Sequence, residues 1–212
     1  MRKLLFAIFA VLLMVSTTNA QKIEITPMVG YMFGGSVNFI EGKLKIKDNL
    51  SYGGMMSVKI DRDVAVEFSY ARMDTRAEWR PGYIYAPDYP NLNFNVNVNY
   101  MTIGAVRDVE VNEHVVGFGT LALGAAYFNP TDSRIKDVWR FAGSLAAGVK
   151  LYITDRIGIR LQGRLLLPMY FAGGGAYCGV GTGGSSCGLG VSTTSVILQG
   201  DLSGGLIIRL GN

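Results

Sequence analysis

The segment Ser195 to Leu210 constrains this chain most, because it alternates over its whole length. One set of alternate positions holds Val196, Leu198, Gly200, Leu202, Gly204, Leu206, Ile208 and Leu210. The other set holds Ile197, Gln199, Asp201, Ser203, Gly205, Ile207 and Arg209. Successive side chains of a strand point to opposite faces, so this segment reads as a strand with one aliphatic and one mainly polar side. The same period recurs upstream. Val64, Val66, Phe68 and Tyr70 alternate with Ala65, Glu67 and Ser69. Ile157, Ile159, Leu161, Leu165 and Leu167 alternate with Gly158, Arg160, Gln162 and Arg164. Phe94, Val96, Val98 and Tyr100 alternate with Asn93, Asn95, Asn97 and Asn99.

Only the N-terminus breaks this pattern. Arg2 and Lys3 precede an apolar run from Leu4 to Val15, and Thr18-Asn19-Ala20 supplies small residues for cleavage. That order reads as a secretion signal over residues 1–20, with a mature domain over 21–212. The run is shorter than the ~20 residues a transmembrane helix needs. No Cys follows the cleavage site, which argues against a lipoprotein. Setting Arg2 and Lys3 aside leaves 18 basic and 16 acidic residues, a balance too even to suggest nucleic acid.

Beyond the leader, strands are expected near 22–33, 43–60, 64–74, 92–108, 115–128, 139–153, 157–171 and 195–210. Three connections are tight: Asp61-Arg62-Asp63, the stretch from Val109 to His114, and Thr154-Asp155-Arg156. Four are long: Gly34–Gly42, Thr75–Asn91, Asn129–Val138 and Ala172–Thr194. Long and short connections alternate, as extracellular loops and periplasmic turns do in a transmembrane barrel. A soluble, lipocalin-like barrel would turn its polar face to water, with roughly a quarter or more of that face charged. Here the polar face is mainly Gly, Ala, Ser, Asn and Gln, which suits a narrow interior. The reading is all-β: an eight-stranded, antiparallel, up-and-down transmembrane β-barrel.

The end of the chain fits a polar-x-Gly-x-x-apolar-x-apolar pattern at Ser203, Gly205, Ile208 and Leu210. It resembles the C-terminal targeting strand of bacterial outer-membrane barrels, although Gly211 and Asn212 follow where that family usually ends on an aromatic residue. With its strand count, the chain resembles the small eight-stranded opacity-protein and OmpA-domain barrels. The resemblance implies residence in the bacterial outer membrane, contact with its lipids and lipopolysaccharide, and recognition of the last strand by the assembly machinery. No peptidoglycan-binding module is expected after the barrel.

Strand parity places Glu24, Lys59, Glu67, Arg107, Lys150, Arg160, Arg164, Asp201 and Arg209 inside, an excess of about three positive charges. Confined charges should pair, and Glu67 and Asp201 are the expected partners of Arg160, Arg164 and Lys59. An eight-stranded barrel is just wide enough for its own side chains, so this network should plug it. A narrow, anion-favouring solute channel is the alternative.

In the second long loop, Arg76, Trp79, Arg80, Tyr83, Tyr85 and Tyr89 are the residue types enriched at binding surfaces. The blander role for them is an aromatic girdle and loop packing. An unknown extracellular or envelope protein partner is one possible occupant; the Arg residues would also suit lipopolysaccharide phosphates. The fourth loop holds Cys178 and Cys187, which in an oxidising compartment suggest a disulfide. By chain entropy it would stabilise a loop of about ten residues by roughly 2.5–3 kcal/mol. The Gly-rich run there lacks the Gly-Lys-Ser/Thr ending of a phosphate loop. Some barrels of this size act on lipid A, but they need an activating base, and His114 is the sole His and falls in a tight turn. We expect no catalysis, cofactor or metal, and a structural or surface-interaction role displaying four loops.

Overall fold

The computed structural model describes residues 23–39, 42–81, 92–132, 136–181, 184–196 and 198–210. The expected leader lies outside them. Eight strands form the barrel wall: β1 (Ile23–Phe33), β4 (Asn49–Lys59), β5 (Val64–Pro81), β6 (Leu92–Glu110), β7 (Val115–Pro130), β8 (Val138–Tyr152), β9 (Ile157–Gly181) and β11 (Gln199–Leu210). Each pairs antiparallel with the next in this order. Closure comes from β1 against β11, with Glu24 opposite Arg209 and Tyr31 opposite Leu202. Every wall strand therefore has two neighbours, so the spanning backbone is satisfied internally, as a membrane requires.

The three tight turns share one device. Ile60, Val111 and Ile153 each donate a backbone N–H to Val64, Val115 and Ile157, at 2.9, 3.0 and 2.9 Å. Local side chains hold the turns: Asn112 Oδ1 accepts from the His114 and Val115 amides, and Thr154 Oγ1 from the Arg156 and Ile157 amides. These turns gather at the end of the barrel where β1 begins and β11 finishes.

The other end departs from the expected simple loops. The strand expected over 43–60 is two strands, β3 (Gly42–Ile46) and β4, broken at Lys47-Asp48. Asp48 Oδ1 accepts the Gly34 amide at 2.9 Å, and the Lys47 carbonyl accepts from Thr75 Oγ1 at 2.7 Å. The segment expected as the first long loop contains β2 (Ser36–Phe39), which pairs with β3. Gly35 makes the turn into β2 with φ of 80°, a conformation glycine adopts without a Cβ penalty. β3 then pairs with the far end of β5, so Thr75–Pro81 is strand, not loop. The Gly-rich stretch after Ala172 is likewise hairpin, formed by β9 and β10 (Gly184–Val196). Strands in this barrel run on past the bilayer, and a Gly-rich strand carries no apolar alternation by which to see it.

Parity is constant along the wall strands, and on β5 and β6 polarity inverts partway up. On β5 the outward residues are Val64, Val66 and Phe68, then Arg72, Asp74 and Arg76; inward lie Glu67 and Ser69, then Ala71 and Met73. On β6 the outward series is Ile103 and Ala105 below, then Asn99, Asn97 and Asn95 above. Val96, Val98 and Tyr100 are buried inside, which corrects the expectation that the Asn series points inward. The register pairs Tyr70 with Met101 and Arg72 with Asn99, so both strands switch at one level. Below it an aliphatic exterior surrounds a polar core; above it β5 and β6 turn polar residues outward and apolar ones inward, while β1 keeps Tyr31 and Phe33 exposed. The lower half is a lipid-facing wall and the upper part of this side is built like a water-soluble barrel.

Candidate functional site: the barrel core and its outer rim

Polar side chains cross the lumen in layers. Nearest the turns, Lys150 is fully buried, with Nζ 3.3 Å from Glu24 Oε2 and 3.0 Å from Asp108 Oδ1. Arg209 Nη2 reaches Glu24 Oε1 at 2.9 Å, Tyr152 donates to the same oxygen at 2.9 Å, and Lys59 lies 3.2 Å from Asp108. In the next layer Arg160 grips both Glu67 oxygens and its guanidinium lies 4.1 Å from the Phe118 ring centroid. Above that, Arg164 pairs with Asp201 at 2.9 Å, and Ser51 and Ser203 donate to the same carboxylate. Arg164–Asp201 and Arg209–Glu24 join residues directly opposite on neighbouring strands and line the wall. Arg160–Glu67, from β9 to β5, and Lys150–Glu24, from β8 to β1, span the interior.

One pairing and one placement differ from the expected ones. Lys59 pairs with Asp108, not with Glu67 or Asp201. Arg107 points outward and is exposed, while Asp108 is buried in its place. Both errors follow from assuming that the Asn residues of β6 face inward, which set the parity of that whole strand wrongly. The turn-proximal end held the missed signal: Val64 stands opposite Arg107 and shares its outward face. With this exchange the network holds Lys59, Lys150, Arg160, Arg164 and Arg209 against Glu24, Glu67, Asp108 and Asp201, an excess of one positive charge.

An apolar layer lies on top, with Met32, Met73, Val98, Tyr100 and Leu166 buried together with Ala71, Ala126 and Ala142. The Tyr100 hydroxyl donates to Gln199 Oε1, and Gln199 Nε2 donates to the Gly34 carbonyl. The interior space between Glu67, Thr102, Ser144 and Arg164 amounts to about 10 Å³, at or below what one water needs.

The expected recognition residues divide between places. Arg76 and Arg80 sit on β5 with exposed side chains, while Trp79 is half-buried on the opposite face, in register with Leu44 and Leu92. Tyr83, Tyr85 and Tyr89 lie outside the described residues. Pairing of β3 with β5 sets Lys43 opposite Arg80 and Lys45 opposite Glu78. Lys47 closes on Glu78 at 2.5 Å, and this ion pair holds the Glu78 carboxyl below the usual carboxylate range. Lys43 and Lys45 were missed because β3 was read as part of a spanning strand. Cys178 and Cys187 stand directly opposite each other in the β9–β10 register; their side chains lie outside the described set. His114 is exposed in its turn, at the end away from the long connections.

A closed ring of eight antiparallel strands with an aliphatic outer belt and an ionic core defines an outer-membrane-type β-barrel. No family model matches the sequence, and no curated protein does. Among solved structures, Neisserial surface protein A is similar at 12% identity, over 89% of this chain and 97% of that one, with a TM-score of 0.53. The outer membrane protein OprG of Pseudomonas aeruginosa is similar at 10% identity, over 91% and 97%, with a TM-score of 0.57. At these identities the likeness is one of fold: the chain has the architecture of the small bacterial outer-membrane barrels.

Proposed function

We propose that this protein is exported by an N-terminal signal over residues 1–20, inserts in the outer membrane, and acts at its outer surface and not through its lumen. The observation that carries this reading is the stack of layers inside the barrel. Charged side chains neutralise one another within the lumen, with Arg160–Glu67 and Lys150–Glu24 crossing it, and an apolar layer seals the far side. Moving an ion through would require breaking several buried pairs, each of which leaves an uncompensated charge. A rigid, closed barrel of this kind serves as a membrane-held scaffold for the segments at its outer end. The exposed cations Lys43, Lys45, Arg76 and Arg80 give that end a basic face suited to lipopolysaccharide phosphates. A disulfide between Cys178 and Cys187 would pin the β9–β10 hairpin, and the final strand would serve the assembly machinery.

Single-channel recording in a planar bilayer tests the closed lumen, once a heat-modifiable gel shift has verified the folded barrel. Silence is expected. Reproducible steps whose selectivity changes with Arg160→Gln or Arg164→Gln would overturn it in favour of a narrow channel.

A further inference from the structure

The level at which polarity inverts is also where an outward groove opens across four strands. Register places Arg72, Asn99, Tyr127 and Trp139 in one continuous outward row, running from β5 through β6 and β7 to β8. The row above holds Asp74, Asn97 and Asn129, also outward. The row below holds Tyr70, Met101, Ala125 and Phe141, and the next holds Phe68, Ile103, Leu123 and Gly143. A groove of about 450 Å³ lies between Arg72, Asn97, Asn99 and Trp139, a size typical of a small-molecule site.

The polar groups of this groove are fixed before any ligand arrives. Arg72 Nε donates to Asp74 Oδ1 at 2.8 Å, and the Tyr52 hydroxyl donates to the other Asp74 oxygen at 2.9 Å. With the Asn97 amide oriented to suit its neighbours, it donates to Asp74 at 2.8 Å and accepts from Arg72 Nη2 at 3.3 Å. Tyr70 donates to Asn99 Oδ1 at 2.9 Å. Tyr127 and Asn129 converge on Asp137 at 2.5 and 2.9 Å. The Trp139 ring stacks on Tyr127 with centroids 4.5 Å apart, and its residue is 57% exposed.

We infer that this groove binds the phosphorylated amino-sugar headgroup of a lipopolysaccharide molecule whose acyl chains lie on the wall beneath. Carboxamides both donate and accept, as sugar hydroxyls do. An exposed indole face, negative in its quadrupole, suits the C–H face of a sugar ring. Arg72 is paired with Asp74, and Asp137 is a second carboxylate at the rim. A phosphate is therefore met by the guanidinium N–H groups that Asp74 and Asn97 leave over, and not by net positive charge. The aliphatic rows below, with the small residues Ala125 and Gly143 between bulkier neighbours, continue the same surface into the hydrocarbon. A soluble saccharide would use the upper half only. The occupant that uses both halves is a glycolipid of the outer leaflet.

This rests on the membrane placement and is independent of whether the lumen is closed. The test is titration of the detergent-solubilised, heat-modifiable barrel with lipopolysaccharide, and separately with its acyl-free sugar phosphate. Trp139→Ala and Asn99→Leu are compared with Tyr31→Ala on the opposite wall. Trp139 and Tyr31 are exposed; Asn99 lies on the outward face but is 8% exposed beneath Tyr70, whose hydroxyl donates to it, so the gel shift verifies that each variant folds. Both groove variants should bind lipopolysaccharide at least 10-fold more weakly, with the Tyr31 variant unchanged and the acyl-free headgroup weaker than the intact lipid. Equal affinity in the groove variants would overturn the site; equal affinity for the acyl-free compound would overturn the glycolipid in favour of a soluble sugar. A protein that stays soluble and monomeric without detergent would remove the membrane reading itself, a failure visible before any titration.

Discussion

Arg160 and Glu67 meet head-on across the barrel, with Nη1 to Oε2 at 2.5 Å and Nη2 to Oε1 at 3.1 Å. Arg160 stands on β9 and Glu67 on β5, strands that share no ladder, so this bidentate pair is a strut through the lumen. Ser57 donates to Glu67 at 2.7 Å, and Arg160 Nε donates to Gln162 at 3.0 Å, which holds both ions in place. Removing one member strands the other charge in a dry interior.

The two single truncations should therefore be unequal to the double one. Glu67→Ala or Arg160→Ala should each cost about 3–5 kcal/mol, while the double variant should cost less than the sum of the two. Urea unfolding from lipid vesicles, followed by the gel shift, measures this. Additive losses would mean that the pair is solvated in the membrane and does not act as a strut.

The polarity switch fixes where the bilayer ends. A cysteine at Ile103, in a Cys178→Ser/Cys187→Ser background, should react with a lipid-soluble label and resist a charged one. A cysteine at Asn95, eight positions up the same face of β6, should do the reverse. Labelling of both positions by the lipid-soluble reagent alone would place the hydrocarbon boundary higher and contradict the assignment of the upper wall to water.

This switch also explains what the sequence disclosed and what it hid. Strand existence, count and tight turns were legible, because Val64 to Tyr70 and Ile157 to Leu167 alternate cleanly within the lipid belt. The Asn93 to Asn99 series alternates just as cleanly, but with the opposite sense, since outside the bilayer the apolar set turns inward. Period alone says that two faces differ; it does not say which one meets water. That single ambiguity put Arg107 inside and left Asp108 out. The β2–β3 hairpin was hidden for another reason: the break at Lys47-Asp48 depends on bonds from Gly34 and Thr75, which are distant in sequence.

Gly148 tests how tightly the ionic layer is packed. A Cβ there would lie 2.1 Å from the Leu161 carbonyl oxygen and 2.9 Å from the tip of the Phe118 ring, the ring against which Arg160 rests. The backbone oxygen cannot yield, so Gly148→Val should destabilise the barrel by about 1–3 kcal/mol. It should also lower the folded fraction on the gel. A variant as stable as the parent would show that β8 can shift relative to β9 without disturbing the Arg160 layer.

The outer sheet carries a pH dependence whose sign is set by Glu78. Its carboxyl is lowered first by the bond from Lys47, then by the charges of Lys47, Arg80 and Lys45. A depressed carboxylate stabilises the folded form above its unfolded value, about 4.3. That contribution is lost as the pH falls through the folded value, which lies lower. The β3–β5 pairing should then loosen on acidification, because protonated Glu78 leaves Lys43, Lys45, Lys47 and Arg80 without the carboxylate they share, with Asp48 and Asp74 the nearest remaining acids beside Lys47 and Arg76. Titrating the Glu78 carboxyl carbon by NMR should place its midpoint below that of a free Glu, and Lys47→Gln should move it upward. A midpoint that ignores the Lys47 substitution would show that the ion pair is absent in solution, and with it the order of charges proposed for the basic face.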